Sequence, residues 1–297
     1  MALRDFALLV LICLVWASNN IISKIVVAHW GVPPVFYAAV RFAIVAACTL
    51  PWLLPAPKPL WRIVSVALLM GGCNFALMFM GLKTASPSAA AIVLQLGVPM
   101  TTLLSVLMLG ERIRWRRGVG IAMTLLGALV VMWNPDGFAL SAGLLLIAAA
   151  TAAGSLGAVM MKQMEGVKPL RFQAWVGFCS VVPLFAVTLL TEDGQWTAAA
   201  AAGWRFWAAV VFSALVVSVL IHTAYYALII RYEANLISPL TLMTPLATIA
   251  MGVVITNDHF DVRMAFGAAL ALLGVLIIAL RGNRAMPLLL AIRDRSQ

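Results

Sequence analysis

Long apolar runs alternate with short polar breaks along the whole chain. The breaks mark ten segments, at about residues 6–28, 33–54, 61–82, 87–109, 117–133, 141–161, 170–190, 206–229, 236–256 and 263–281. Most approach or exceed the roughly 20 residues that a helix needs to cross a hydrocarbon core about 30 Å thick. Pro55, Pro57 and Pro59 break the chain after span two, and Asn134-Pro135-Asp136-Gly137 makes a turn that divides it almost in half. The pattern predicts an all-α integral membrane protein of ten transmembrane helices. Arg4, the apolar run and Ala17-Ser18 imitate a signal peptide, but the run continues to about Ala28, so it is read as the first span.

The two halves repeat. Gly31-Val32-Pro33-Pro34 opens span two as Gly166-Val167-Lys168-Pro169 opens span seven. Pro99 in span four answers Pro245 in span nine, and Gly120 to Gly127 in span five matches Gly267 to Gly274 in span ten. Five spans per half is an odd number, so the second half sits upside down relative to the first. The expected units are residues 5–133, the inverted unit 141–282, and a basic tail at 283–297.

Charge supports the inversion. The connection after span two carries Lys58 and Arg62, and its counterpart carries Glu192 and Asp193. The connection after span four holds four arginines, whereas its counterpart holds Asp258, Asp261 and a single arginine. Fifteen Lys and Arg fall on one side against three on the other, which places both termini in the cytoplasm of a multi-pass inner-membrane protein. This distribution also disposes of nucleic acid as the reason for the formal charge of +10. At 10% charged residues, against about 25% in soluble domains, the lipid bilayer is the expected partner.

Trp16-Ala-Ser-Asn19 with Lys24, Arg41-Phe42, Pro99, Leu109-Gly110-Glu111-Arg112 and Gly120 to Gly127 occur in the order that marks the drug/metabolite transporter superfamily. The chain resembles the EamA branch of that superfamily over about residues 5–282, and within it an exporter of aromatic amino acids. Thr256-Asn257-Asp258 departs from the pattern where Gly-Glu is expected in the second half. The resemblance implies two inverted five-helix repeats around a central cavity and the export of small metabolites.

Polar residues inside spans cost free energy and face a cavity or another helix. Helical spacing groups Trp16, Asn20 and Ser23, with Asn19 beside them; Asn74 and Met78; Ser88, Ile92, Gln95, Pro99 and Thr102; Thr151, Ser155 and Lys162; Ser218, His222 and Tyr225, with Tyr226 beside them; and Ser238, Thr241, Pro245 and Thr248. Spans one, three, four, six, eight and nine are therefore expected to line a polar pathway. The competing reading is that hydroxyls bond back to their own helix and amides join helices. Aromatic substrates would stack on Trp16, Phe79, Tyr225 or Tyr226. Pro99 and Pro245 each free a backbone carbonyl and serve as hinges or as static kinks. Arg41 lies about nine residues into span two and either receives a substrate carboxylate or is a structural link to backbone carbonyls. Lys24 near the outer end of span one is expected to snorkel.

None of the ten acids is mid-span, which disfavours proton-coupled export of cations and favours a zwitterionic or neutral substrate. His29, His222 and His259 are far apart and no nucleophile motif occurs, so no enzyme, metal or cofactor is expected. Cys13, Cys48, Cys73 and Cys179 read as free buried thiols. The glycine seams read as internal packing of spans five and ten, with a dimer interface as the alternative to a monomer. The expected function is export of aromatic and other neutral amino acids by alternating access, with another small metabolite or drug as the alternative substrate.

Overall fold

The computed structural model describes residues 2–110, 115–134, 139–164, 167–232, 237 and 240–279. The turn at 135–138, Glu111, Arg112, Ser238 and the tail lie outside the described residues, as does the Tyr226 side chain. Nine described helices are long and apolar enough to cross a bilayer: Leu3–His29, Pro34–Trp52, Leu60–Thr84, Pro87–Leu109, Trp115–Met132, Ala142–Lys162, Pro169–Thr191, Trp204–Tyr225 and Val262–Ala279. The shorter apolar helix Met243–Ile255 supplies span nine. A two-residue ribbon, Trp133–Asn134 with Ala139–Leu140, joins the halves, and a short helix, Gln195–Ala202, precedes span eight.

Local sequence sets the ends. Pro34, Pro87 and Pro169 open spans two, four and seven, where a missing N–H breaks no intrahelical bond. Gly110 closes span four with φ 67°, the left-handed cap that glycine adopts without strain. The acids of the face opposite the basic connections have structural work. The Glu192 carboxylate accepts the backbone N–H groups of Val35 and Phe36, both at 2.9 Å, and so caps span two. Asp258 accepts the Ser88 N–H at 2.8 Å and its hydroxyl at 2.5 Å, and so caps span four. Each carboxylate satisfies orphan donors at the positive end of a helix.

The pairing of helices follows the internal symmetry. Spans five and ten pack together, as do two and seven, and four and nine; each pair consists of repeat-related helices. Span three packs along span six, whereas their counterparts, eight and one, meet less extensively. The glycine seams explain the closest pair. A Cβ on Gly127 would come within 2.5 Å of the Ala271 nitrogen, and one on Gly120 within 2.7 Å of the Gly274 carbonyl oxygen. Both seams thus face each other inside one chain, as internal packing of spans five and ten requires.

Two expectations are corrected. Cys13 is buried, but Cys48 and Cys73 are exposed and Cys179 is half-buried. An apolar run shows that a residue is membrane-embedded, not that it faces protein. Lys24 does not snorkel: its Nζ donates to the carbonyls of Leu82 at 3.0 Å, Lys83 at 3.4 Å and Ala85 at 2.8 Å. It caps the C-terminal end of span three and ties span one to it.

The apolar pattern gave no sign of the irregular turns. Span three contains a π segment at Leu68–Cys73, and span eight one at Phe212–Ile221. These repeat-related helices start alike, Trp61-Arg62 against Trp204-Arg205, so the two wide segments overlap in register. Span four breaks into Pro87–Val93, a tight 3-10 turn at Leu94–Leu96, and Gly97–Leu109. Pro99 accounts for this, because it has no N–H to return to the Gln95 carbonyl.

Candidate functional site

These irregularities lie where the helices part. A cavity of about 620 Å³ separates spans three, four, six and eight, lined among others by Asn74, Phe75, Thr101, Thr102, Thr151, Ser155 and His222. Ser105, Arg117 and Lys162 line its end at the basic face. A second cavity of about 220 Å³ lies between spans one, four, eight and nine, lined by Trp16, Asn20, Gln95, Tyr225, Thr241, Thr244, Pro245 and Thr248, with Ala91 and Leu94. Leu94 belongs to both linings, so the cavities adjoin at the span-four break. Apart from Arg117 of span five, all described lining comes from the six spans that carry polar stripes.

The junction is aromatic. The Trp16 ring lies 4.8 Å from Tyr225, edge to face, and 5.5 Å from His222. His222 is the first residue after the wide segment of span eight, and its Nδ1 lies 2.6 Å from the Val217 carbonyl oxygen. A carbonyl only accepts, so Nδ1 carries the proton and Nε2 is the acceptor of the neutral ring. Asn74 likewise follows a wide segment, and its Nδ2 donates to the Ala150 carbonyl at 2.6 Å. Its amide therefore joins spans three and six as well as lining the larger cavity.

The smaller cavity carries unmet hydrogen-bonding capacity. Trp16 Nε1 is buried without a partner, and the buried Thr244 hydroxyl has only the Cys13 thiol beside it. Buried donors in this state mark places that water or a ligand fills. Around them, Asn20 Nδ2 donates to Thr248 Oγ1 at 3.5 Å and Gln95 Nε2 to the Ala91 carbonyl at 3.3 Å. No described residue lining either cavity is acidic. The arrangement suits a ligand with an apolar or aromatic body and a few polar groups, and it offers no counter-charge for a bare cation.

Some expected site residues lie elsewhere. Asn19 is buried against span eight, where its Oδ1 accepts from the Ser213 hydroxyl at 2.6 Å, and the Tyr37 hydroxyl pairs with Ser213 at 2.7 Å. Neighbours in a helix point about 100° apart, so Asn20 faces the cavity and Asn19 faces protein. Met78 and Phe79 are buried in the core, where this half of span three packs against spans six and two and the Phe79 ring lies 4.9 Å from that of Tyr37. Pro99 is buried outside both linings, although the turn it imposes contributes Leu94 and Gln95 to them. Arg41 is fully buried and bonds to Ser218, not to the expected backbone carbonyls. Among the residues that sequence reasoning missed, Thr244 lies three positions after Thr241 on the same helical face, and Phe75 adjoins Asn74. Spacing could have found the first.

Comparison with known proteins agrees with this architecture. A family model described as the EamA-like transporter family matches residues 5–133 and again 140–280. A "Probable amino-acid metabolite efflux pump" of Salmonella typhimurium (strain LT2) is 25% identical over 287 residues, covering 93% of this chain and 95% of its own length. A protein of the same description from Escherichia coli (strain K12) is 24% identical over 288 residues, with the same coverage. A solved crystal structure, 18% identical, matches 95% of this chain and 98% of its own with a TM-score of 0.66, which shows the fold alone.

Proposed function

The chain belongs to the EamA-like transporter family, and from that premise we propose that it exports amino acids, aromatic ones and other neutral ones among them, by alternating access. The observation that carries this reading is the pair of adjoining cavities, whose described lining mixes apolar and polar side chains without an acid and whose junction is the Trp16–His222–Tyr225 cluster. A volume of about 620 Å³ falls in the roughly 300–1,000 Å³ range of sites for small ligands. The relatives at 25% and 24% identity, named as probable amino-acid metabolite efflux pumps, support the same substrate class.

The face bearing Arg62, Arg117, Lys162 and Arg171 is read as the cytoplasmic side of an inner membrane, because short connections rich in Lys and Arg favour that side. On that reading the larger cavity ends at the cytoplasmic side, while on the opposite side Lys24 bonds span one to the end of span three and Asp258 bonds the end of span nine to span four. Counterflow of labelled phenylalanine into proteoliposomes tests the substrate class. Exchange competed by tryptophan more strongly than by threonine or glutamate is expected. Absence of exchange with phenylalanine, tryptophan, threonine, methionine and glutamate, from folded protein, would overturn it.

A further inference from the structure

Two cations within the described spans, Lys24 near the outer end of span one and Arg41 in span two, are satisfied very differently. Lys24 has three backbone carbonyls around its ammonium, the pattern of a structural cation. Arg41 has none. Its Nε and Nη2 both donate to one hydroxyl oxygen, Ser218 Oγ, at 3.2 and 2.9 Å, and its Nη1 is buried without an acceptor. The rest of the guanidinium's surroundings is aromatic: its central carbon lies 4.4 Å from the centroid of Phe75 and 6.0 Å from those of Phe42 and Phe79. Neither ion pair among the described residues involves it. Guanidinium stays protonated in a protein, so a full positive charge is held here on one hydroxyl and on ring faces. One side of its planar fork is left open.

That open charge is one side chain away from the larger cavity. Phe75, the ring closest to the guanidinium, lines the cavity wall. On span eight, Ser218 contacts Arg41, and His222, one turn along the same face, lines the same wall. Phe75 lies two residues past the wide segment Leu68–Cys73, and such segments interrupt the regular ladder that would otherwise hold a side chain in one register.

We propose that Arg41 is the receptor for the substrate's carboxylate and that Phe75 screens it until a substrate enters. The inference rests on the amino acid reading of the cavity and sharpens it to carboxylate-bearing solutes. When the ring turns aside, a carboxylate reaches Nη1 and Nη2 as a bidentate partner, the geometry that a guanidinium fork favours. The ring and the carboxylate compete for the same face of one cation. The charge is then neutralised only in the loaded transporter, and a molecule of the same shape without a carboxylate gains nothing from moving the ring.

The test uses the full-length protein in liposomes, with labelled phenylalanine counterflow as the readout. The competitors are 3-phenylpropanoate, which keeps the carboxylate and lacks the amine, and phenylalaninamide, which keeps the amine and lacks the carboxylate. 3-Phenylpropanoate is expected to compete, and phenylalaninamide to compete at least tenfold more weakly. Phe75→Ala leaves Arg41 in place and removes the screen, so it should lower the half-maximal concentration of 3-phenylpropanoate several-fold without improving the amide. Arg41→Lys, which keeps the charge and loses the fork, should raise the phenylalanine half-saturation at least tenfold and leave amide competition unchanged. Phenylalaninamide competing as well as phenylalanine, with Phe75→Ala leaving the ratio unaltered, would make Arg41 a structural residue while amino acid export stands. No exchange with any amino acid would remove the export reading and this one with it.

Discussion

At the scale of single residues, the most exacting positions follow the wide helical segments. Asn74 is held by the Ala150 carbonyl, and that bond fixes an amide at the cavity wall. Asn74→Ala leaves the carbonyl without this donor, a loss of about 1 kcal/mol or roughly fivefold in transport rate. Counterflow from variant protein reconstituted at equal density checks this. His222→Ala removes both the ring and its contact with Trp16, so a larger loss is expected in the same assay. Periodicity gave the face shared by Asn74 and Met78 but not how deep the cavity runs along it, so Met78 lies in the core and Asn74 does not. Asn19 shows the complementary gap: type and membrane depth were legible, while its pairing with Ser213 depends on span eight, almost two hundred residues away in sequence.

At the scale of elements, length and hydropathy located the spans to within a few residues, since the bilayer imposes one requirement on all of them. The wide turns at Leu68–Cys73 and Phe212–Ile221 stayed hidden because apolar residues populate regular and widened helix alike. The break at Leu94–Leu96 was foreshadowed by Pro99, though its extent depends on packing against span six. The glycine seams were legible as close packing, and the opposing backbones give them a measurable consequence. Gly127→Ala forces a Cβ against the Ala271 nitrogen and the Gly267 carbonyl, so spans five and ten must separate. A destabilisation of about 1–3 kcal/mol is expected, read as a lower midpoint of thermal unfolding in detergent. Gly118→Ala, which meets open space, is the control that should leave the midpoint unchanged.

At the scale of the whole molecule, the inverted repeat was legible from loop charge and short motifs, because each loop must suit the side it faces. The bonds that join helices on the far side were not, since they depend on contacts between parts of the chain distant in sequence. The Lys24 carbonyl clasp and the Asp258–Ser88 cap hold the far side together. Lys24→Met and Asp258→Asn together should favour opening there. Faster labelling of a cysteine introduced at Gln95 by an impermeant maleimide added from that side checks this, and unchanged labelling would show that the clasp does not control access.

The unequal contacts of spans three and six against eight and one bear on the second shape that alternating access requires. In an object made of two copies of one design, a difference between the copies is itself information. Imposing the first half's conformation on the second half's sequence, and the reverse, generates a mirror arrangement from existing parts. In it, eight and one close together while three and six separate, and the pairs five–ten and two–seven act as pivots. Spin labels on the outer surfaces of these helices should therefore report distances that change in opposite directions during turnover. The molecule would then carry the blueprint of its other state in the mismatch between its halves.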